Sequence, residues 1–341
     1  MSAKKIALLV FLGLLLLHPC FAKITVREYA MPAVQGVPFR PIVQGDWALA
    51  LLNTDPKNIS TTIGVIAYDL KAKKVYTLHK GKANYPAITG SIAMWSGKID
   101  DVPSLSGTAG KRGTWPSCLI LHDLSTGRYS APVLKTNSAF VIAASGRYVA
   151  YELGSRINLY DITTGAQKRI SDDRPCHLHP DIGGDLVVWR EYDSAHKDSR
   201  TRGYRISTGE ELLFADSFQP IGAPRTDGEY VAWWDNASGS SIYDTKTSNV
   251  RVIKAAFYPD VSNGFAVYSK DTGTGTPAGK GLQRTVYGMD LTTGEEFQIS
   301  KGIPDSQIQF RIEGNRVVWV EGSVLHYADL ERVSELKVFK K

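Results

Sequence analysis

A short alternating pattern recurs along this chain of 341 residues. Each copy starts at a glycine, continues with an apolar residue at every second position, and ends in Trp or Tyr five residues after the glycine. The five full copies are residues 90–95, 146–151, 184–189, 228–233 and 314–319. Residues 264–268 form a copy that is one residue shorter, and residues 45–50 match the alternation without the aromatic. Period-two alternation predicts strands, so one strand is repeated seven times.

A second pattern follows each copy of the first. It consists of Asp-Leu or a close variant, followed in its full form by a Thr-Gly turn. Its copies are residues 68–70, 122–127, 160–165, 204–209, 243–245, 289–294 and 328–330. The aspartate is expected to accept hydrogen bonds from backbone N–H groups at that turn. The mean spacing of the repeat is about 45 residues, which is typical of propeller blades.

Each repeat is predicted to form four antiparallel strands, and seven such units stacked around an axis would bury both faces of every sheet. We therefore predict an all-β fold, a seven-bladed β-propeller. Six blades with an extra hairpin at the first repeat is the alternative. No segment after residue 22 has a helical period. Residues 23–29 are expected to add a strand to the last blade.

The repeats resemble those of the TolB-like and WD-repeat-like β-propeller superfamily. The resemblance rests on a Pro and a Gly before an apolar strand, then Tyr-x-x-Asp-Leu and a Thr-Gly turn. Residues 180–189 followed by residues 204–209 illustrate it, and the match covers roughly residues 37–339. The resemblance implies the fold and says little about function.

The N-terminus has the pattern of an export signal. Lys4 and Lys5 precede a twelve-residue apolar run at residues 6–17, and Cys20 and Ala22 suit cleavage before residue 23. We predict a signal peptide at residues 1–22, an N-terminal extension at 23–36 and a single propeller domain at 37–341. The mature protein would be periplasmic or secreted. An uncleaved anchor and a lipid-modified Cys20 are the alternatives, and no later apolar run has membrane length.

Charge and cysteine content narrow the function classes. The formal net charge is +6, and Lys and Arg are scattered along the chain, which argues against nucleic-acid binding. Cys118 and Cys176 fall on different strands of non-adjacent blades, so two free thiols are expected rather than a disulfide. We expect a monomer with no transmembrane span after cleavage.

Loop lengths suggest which face of the propeller is the binding surface. The turns between the first and second strands of each repeat are short, whereas residues 97–116, 192–200 and 271–282 form long connections on the opposite face. A loop-rich face is the usual binding surface. The function predicted from these observations is a binding module for a protein or glycan in the cell envelope. The candidate contact residues are Tyr85, Trp115, Arg174, His177, Arg190, Glu191, Gln219, Trp234, Asp235 and Tyr258.

One cluster could hold a metal ion. On a regular strand, His177, His179 and Asp181 share a face, and imidazole with carboxylate suits zinc or manganese. The alternative is structural, because His179 aligns with Tyr85 and Tyr258, each of which also precedes a proline. No cofactor is therefore predicted apart from this possible divalent metal.

An enzyme is the alternative to a binding module. Oligogalacturonate lyases are also seven-bladed propellers, and a resemblance to them implies a His and metal site in the central funnel, to which His177 and His179 could belong. No G-x-S-x-G motif is present, and two Gly-Lys loops lack the spacing of a phosphate loop. A purely structural surface protein is a third interpretation.

Overall fold

A computed structural model describes residues 22–55, 61–98, 101–102, 117–136, 141–173, 176–193, 198–217, 222–235, 238–271, 283–304 and 309–334. These residues form 29 strands in seven sheets. No helix among them is long and apolar enough to cross a membrane. Most of the predicted signal peptide, residues 1–21, lies outside the described residues.

The seven sheets are the predicted blades. In each blade we call the strands A to D, from the channel outward. The strands of blades one to three are β2 Val37–Gln44, β3 Trp47–Asn53, β4 Thr62–Asp69, β5 Lys74–Lys80; β6 Ala83–Thr89, β7 Ile92–Gly97, β8 Ser117–Asp123, β9 Tyr129–Thr136; and β10 Ile142–Ser145, β11 Tyr148–Glu152, β12 Ile157–Asp161, β13 Gln167–Arg169.

The remaining blades repeat this order. The strands of blades four to six are β14 His177–Gly183, β15 Leu186–Asp193, β16 Asp198–Arg205, β17 Glu211–Ser217; β18 Arg225–Thr226, β19 Tyr230–Asp235, β20 Gly239–Asp244, β21 Val250–Ile253; and β22 Ala256–Ser262, β23 Phe265–Asp271, β24 Gln283–Asp290, β25 Glu296–Gln298. A short strand, β26 Ile303–Pro304, also pairs with β24.

The seventh blade joins the two ends of the chain. Its strands A to C are β27 Phe310–Glu313, β28 Arg316–Glu321 and β29 Val324–Ser334. Its fourth strand is β1 Ala22–Ala30, which pairs antiparallel with β29 over its whole length. The strand expected at residues 23–29 is therefore present, and it closes the ring.

The recurrent residues have the structural roles that the repeat predicts. The glycine of the A–B turn adopts a left-handed conformation, with φ of 52° at Gly184 and 59° at Gly314, which glycine accepts without steric cost. The aspartate at the C–D turn accepts backbone N–H bonds, for example from Thr163 to Asp161 at 2.9 Å and from Thr292 to Asp290 at 2.8 Å. Each repeat therefore contains the residues that shape its own turns.

The core lies between neighbouring blades. The side chain of Trp95 in blade two is fully buried and belongs to one cluster with Leu49 and Leu51 of blade one. Trp319 occupies the same place between blades six and seven, beside Phe265. Burial of such large side chains is worth about 1.5–3 kcal/mol each, so every blade depends on its neighbours for stability.

Candidate functional site

A central channel runs through the ring and forms a cavity of about 900 Å³. The innermost strand, A, of each blade contributes to its wall. The residues of each strand A follow one another along the channel, so the lining can be grouped by position along the strand. The channel therefore has levels, each made of one residue from each blade.

Four of the seven A strands are interrupted by a bulge at an X-Pro dipeptide. The bulge occurs between Phe39 and Ile42 of blade one, and at equivalent places in blades two, four and six. The residues before the prolines all have positive φ, between 49° and 55°; they are Arg40, Tyr85, His179 and Tyr258. Positive φ is uncommon in residues other than glycine, and such bulges re-aim side chains next to functional sites.

These four residues belong to the first level of the channel, which we call the mouth ring. Its members all line the cavity and are Arg40, Tyr85, Val141, His179, Ala223, Tyr258 and Gln309. The ring lies where the A strands begin. In an up-and-down blade this end carries the B–C and D–A connections, so the mouth ring opens on the loop-rich face.

The next level lies two residues further along each A strand. Each residue of this level pairs, across the A–B hairpin, with the strand B residue that comes just before the recurrent aromatic position. The seven residues are Ile42, Ala87, Ala143, Asp181, Arg225, Asp260 and Arg311. Blades one to three supply apolar side chains. Blades four to seven supply an acid and a base in alternation, and we call these four residues the charged quartet.

Ion pairs join the quartet. Arg311 Nη2 lies 3.2 Å from Asp181 Oδ1, and Arg311 Nε lies 3.4 Å from Asp260 Oδ2. Arg225 Nη1 lies 3.8 Å from Asp181 Oδ1. Blades four and seven are nearly opposite each other in a seven-membered ring, so the Arg311–Asp181 pair crosses the channel. The two carboxylates also accept backbone N–H bonds, from Thr226 to Asp181 and from Ile312 to Asp260, both at 3.0 Å.

Burial and neighbouring charges compete at this level. Burial raises the pKa of Asp260 above its ordinary value, although Arg311 and Arg225 act in the opposite direction. Burial and then the charge of Arg311 lower the pKa of Arg225 to about 10. The pKa of Arg311 is raised, because Asp260 and Asp181 outweigh its own burial. Both arginines remain charged at neutral pH.

The wall of the mouth is aromatic and cationic. The guanidinium of Arg40 lies 4.2 Å from the centre of the Tyr85 ring, a cation–π distance. Trp234, at the end of strand B in blade five, lines the channel and meets Tyr258 edge to face at 5.1 Å. Gly222 permits this position, since a Cβ there would lie 2.1 Å from the Trp234 indole nitrogen. Three predicted contact residues, Tyr85, Trp234 and Tyr258, therefore line the channel, with Tyr85 across the ring from the other two.

His179 is held neutral in the mouth ring. Burial is the main cause that lowers its pKa to about 4. The positive charges of Arg225, Arg190 and Arg40 lower it further. The backbone N–H of His179 donates to Glu152 Oε2 at 3.1 Å. The residue therefore occupies the pre-proline position that Tyr85 and Tyr258 occupy in other blades, as the alignment suggested.

His177 lies outside the channel lining and is only 1% exposed. Its Nδ1 accepts a hydrogen bond from the Trp189 indole N–H at 2.9 Å, and its Nε2 lies 2.9 Å from Asp172 Oδ1. The first contact requires an unprotonated Nδ1, so Nε2 carries the proton and donates to Asp172. Both ring nitrogens are thus engaged with protein groups.

The three candidate metal ligands of strand A are not brought together. The bulge at His179 and Pro180 shifts the register between Leu178 and Asp181, so strict alternation does not hold. His177 faces Asp172, whereas Asp181 belongs to the quartet. The expectation that the three share one strand face is corrected for this reason.

A different group does meet the distance requirement for a metal. Within the described residues, the ligand atoms of Asp172, His177 and Glu191 all lie within 4.8 Å of one another. Glu191 is 3% exposed, and its two oxygens lie 3.1 Å from Arg200 Nη1 and from Arg202 Nε. Two guanidinium groups already neutralise this carboxylate, and a cation there would be repelled by them. The residues present therefore do not fit a divalent metal well.

The other candidate residues are dispersed. Arg190 lies near His179, and its buried Nε has no hydrogen-bond partner in the described residues. Asp235 caps the following turn by accepting from the backbone N–H and hydroxyl of Ser238, at 2.6 and 2.5 Å. Cys118 and Cys176 are free thiols. Trp115, Arg174 and Gln219 lie outside the described residues.

Comparisons with known proteins agree with this architecture. No protein-family model and no curated protein sequence matches the chain. Among solved structures, the β-propeller domain of the Trilobed protease from Pyrococcus furiosus superposes with a TM-score of 0.56 at 12% identity, covering 91% of this chain and all of that one. An oligogalacturonate lyase in complex with manganese gives 0.51 at 15% identity, covering 94% and 88%.

TolB from Acinetobacter baumannii is a further match, with a TM-score of 0.48 at 14% identity, covering 86% of this chain and 66% of that one. At these identities, likeness concerns the fold. The predicted seven-bladed β-propeller fold is confirmed.

Proposed function

We propose that this protein is an exported, monomeric binding module that holds a protein or glycan partner of the cell envelope on its loop-rich face, at the mouth of the channel. The observation that carries the proposal is the mouth ring. Four left-handed X-Pro bulges aim Arg40, Tyr85, His179 and Tyr258 at one opening. Strained backbone of this kind persists where the surrounding structure maintains it, and it concentrates at binding sites.

The shape and chemistry of the mouth support the same proposal. Binding sites are usually concave, with aromatic walls and a few polar groups that orient the ligand. Tyr258 is 45% exposed, Trp234 packs beside it, and Tyr85 lines the channel on the opposite side. Arg40 and Gln309 provide charged and amide groups beside them. Periplasmic or secreted location remains part of the proposal and rests on the sequence of residues 1–22.

The lyase alternative has less support from the described residues. It needs a histidine that can act on substrate or bind a metal. His177 has both ring nitrogens engaged by Trp189 and Asp172, and His179 lies among three arginines. A positively charged neighbourhood disfavours a divalent cation at His179.

The test is a binding survey with a matched pair of variants. Labelled protein would be applied to a glycan array and to a peptide array carrying free and blocked chain ends. Tyr258→Ala removes an exposed mouth tyrosine, and Tyr76→Ala removes one on outer strand β5 that is 43% exposed. We expect binding of the array ligands to fall by at least about tenfold in Tyr258→Ala and to be unchanged in Tyr76→Ala.

Two results would contradict the proposal. Equal binding by the Tyr258→Ala variant would place the ligand on another surface. Cleavage of the bound glycan or peptide by wild-type protein would identify an enzyme instead. Mass spectrometry of the array ligand after incubation distinguishes turnover from simple retention.

A further inference from the structure

In blades four and seven, a histidine lies beside the recurrent tryptophan of strand B and has an acidic partner. In blade four, His177 Nε2 lies 2.9 Å from Asp172 Oδ1. In blade seven, His326 stacks on Trp319 with 5.5 Å between the ring centres, and its Nδ1 lies 3.1 Å from Glu28 Oε1. Each carboxylate is in place to stabilise a protonated imidazole.

The boundary between blades one and two is built differently. His79 of strand β5 lies beside Trp95 of strand β7, with 5.6 Å between the ring centres. Tyr129 contacts Trp95 edge to face at 6.3 Å, and His122 of strand β8 lies against Tyr129 at 4.1 Å. The Tyr129 hydroxyl also donates to Leu78 O of blade one at 2.7 Å. A row of four rings therefore joins blade one to blade two, with a histidine at each end.

Both of these histidines are buried and incompletely hydrogen-bonded. His79 is 4% exposed and His122 is 8% exposed. Within the described part of the chain, His79 Nε2, His122 Nδ1 and the Trp95 indole nitrogen are buried without a hydrogen-bond partner. Protonation would add a charge and a second N–H that has no acceptor, which is costly in a buried site. The closed boundary therefore favours neutral imidazoles.

Asp101 is the acid close to His79. Its Oδ2 and His79 Nε2 lie 2.9 and 3.3 Å from the position that a Cβ on Gly81 would take, but no ion pair joins the two side chains in the described residues. Asp101 and a backbone hydrogen bond at Lys82 favour the protonated form of His79. Burial outweighs both and lowers its pKa.

His122 is in a similar position. Its neighbour Asp123 is engaged by the C–D turn, where the N–H and the hydroxyl of Ser125 donate to Oδ1 at 2.9 and 2.6 Å. Asp123 and the backbone at Arg128 favour protonation, but burial has the larger effect and lowers the pKa of His122. An open boundary would therefore take up protons more readily than a closed one, so the open form gains as the pH falls below the ordinary value of 6.5.

Side-chain hydrogen bonds connect the A–B turns of other neighbouring blades. Thr89 of blade two donates to Gly146 O of blade three at 2.7 Å, and Ser262 of blade six accepts from Gly314 N of blade seven at 2.8 Å. Between blades one and two no such bond occurs among the residues that the structure describes, and the buried Oε1 of Gln44 has no partner there. This boundary therefore depends on the row of rings and on apolar packing.

The same boundary carries a contact of the mouth ring. Arg40 belongs to blade one and Tyr85 to blade two, and the guanidinium lies 4.2 Å from the centre of the tyrosine ring. Separation of the two blades would break this contact and change the shape of the mouth.

We propose that the boundary between blades one and two is an acid-sensitive opening in the ring, where protonation of His79 and His122 separates the blades and disrupts the mouth at Arg40 and Tyr85. The protein would then hold its partner at neutral pH and release it in acid. This regulatory role rests on the proposed binding function, whereas the opening itself can be measured without a ligand.

Labelling of Cys118 measures the opening. Its thiol is buried in the apolar cluster shared by blades one and two, whereas Cys176, beside strand β14, is partly exposed. A pyridyl disulfide reacts with thiols in acid as well as at neutral pH, and mass spectrometry of peptides separates the two sites. From pH 7.5 to pH 5.0, the Cys118 rate divided by the Cys176 rate should rise about tenfold or more, because each unit of lowered pKa changes the open population by a factor of about ten.

Variants then assign the effect. His79→Phe and His122→Phe keep a ring at each end of the row and remove the titration, so the double variant should change its labelling ratio by less than about twofold. His326→Phe is the matched control, because it also replaces a histidine that stacks on a recurrent tryptophan, and it should keep the wild-type response. If the double variant does not fold, the imidazole C–H signals of wild type serve instead. Both rings should titrate below pH 6.5, over the range in which the labelling ratio rises.

Several results would overturn the inference. A labelling ratio that does not change with pH would exclude an opening at this boundary, and a rise accompanied by loss of the far-UV circular dichroism signal would indicate global unfolding. A double variant that keeps the acid response, or a His326→Phe variant that loses it, would assign the effect to other groups.

The mouth has its own readout. The Arg40 Nε–Hε signal in ¹H–¹⁵N NMR spectra should lose the ring-current shift of Tyr85 at pH 5.0, because the two residues lie on opposite sides of the boundary. An unchanged signal at a pH where the labelling ratio has risen would contradict the regulatory role. These measurements need no ligand, so their outcome is independent of the array experiment.

Discussion

Two histidines separated by one residue have unrelated roles in this protein. His177 is buried between blades and bridges the Trp189 indole to Asp172. His179 stands at the channel mouth, where burial and then three arginines lower its pKa and keep it neutral. The bulge at His179 and Pro180 explains the difference, because it turns the His179 ring into the channel.

This difference can be measured by substitution. His177→Ala should lower the free energy of unfolding by about 3 kcal/mol, since it leaves a cavity and removes the partner of a buried indole N–H. His179→Tyr should change it by less than about 1 kcal/mol, because tyrosine occupies the same bulge in blades two and six. Urea unfolding measures both. A stable His177→Ala protein that has lost a tightly bound metal would show that the histidine is a ligand.

Residues of the quartet show what the sequence could and could not predict. Asp181, Arg225 and Arg311 each precede the recurrent glycine by three positions, and Asp260 precedes its glycine by four. Aligning the repeats on that glycine would have exposed the alternation of charge. Their meeting across the channel could not be predicted, since it depends on the closure of the ring and on the bulges in four A strands.

Among the individual strands, β1 has the largest effect on the closure of the ring. It supplies the outer strand of blade seven from the other end of the chain, and Ile24 packs in one cluster with Phe265, Trp319 and Leu330. The stacked rings of Tyr29 and Tyr327, 4.8 Å apart, add a further contact along this pairing. Blade seven is thus complete only when residues from both ends meet.

A pair of substitutions tests the energetic weight of this strand. Ile24→Ala should cost about 2–4 kcal/mol, because Ile24 is 7% exposed and its truncation leaves a cavity. Arg27→Ala, which removes only the exposed ion pair to Glu331, should cost less than about 1 kcal/mol. Hydrogen exchange of the β29 amides should accelerate in the first variant alone. Unchanged exchange in Ile24→Ala would mean that β1 contributes little to closure.

Sequence reasoning succeeded for the strands whose signals are local. The glycine, the aromatic and the Asp-Leu-Thr-Gly turn each act within a single hairpin, so every copy could be recognised independently. Strand A was harder to interpret. Its bulges depend on Pro41, Pro86, Pro180 and Pro259, and the alternation that placed His177, His179 and Asp181 on one face is interrupted there.

Across the whole molecule, the two ends of the channel differ in charge. Arg40 and Arg225 lie at and just below the loop-rich mouth, whereas Glu313 and Asp227 line the end near the A–B turns. Glu313 is in contact with solvent in the channel and yet surrounded by protein. Burial, followed by the like charge of Asp260, raises its pKa to about 7.

This acid should make stability depend on pH. A raised pKa means that the folded state binds the proton more strongly than the unfolded chain. The stabilising contribution is therefore complete below the ordinary value of 4.5 and is lost as the pH rises through about 7. The Tm of Glu313→Gln minus the Tm of wild type should therefore be larger at pH 8 than at pH 4.5.

The control for this measurement is Glu331→Gln, which removes the same charge from an exposed ion pair with Arg27. Its Tm difference from wild type should vary little over the same range. A Glu313→Gln difference that is equal at both pH values would show that the carboxyl titrates as it does in the unfolded chain.

The pairing of β1 with β29 has a consequence for the order of the blades. Ala22 lies beside Ser334, so a short linker could join these two positions without disturbing the ring. The joined chain could then be opened at a tight turn of another blade, giving a circular permutant with the same neighbours throughout. The neighbours of each blade in the ring are therefore independent of which blade comes first in the chain.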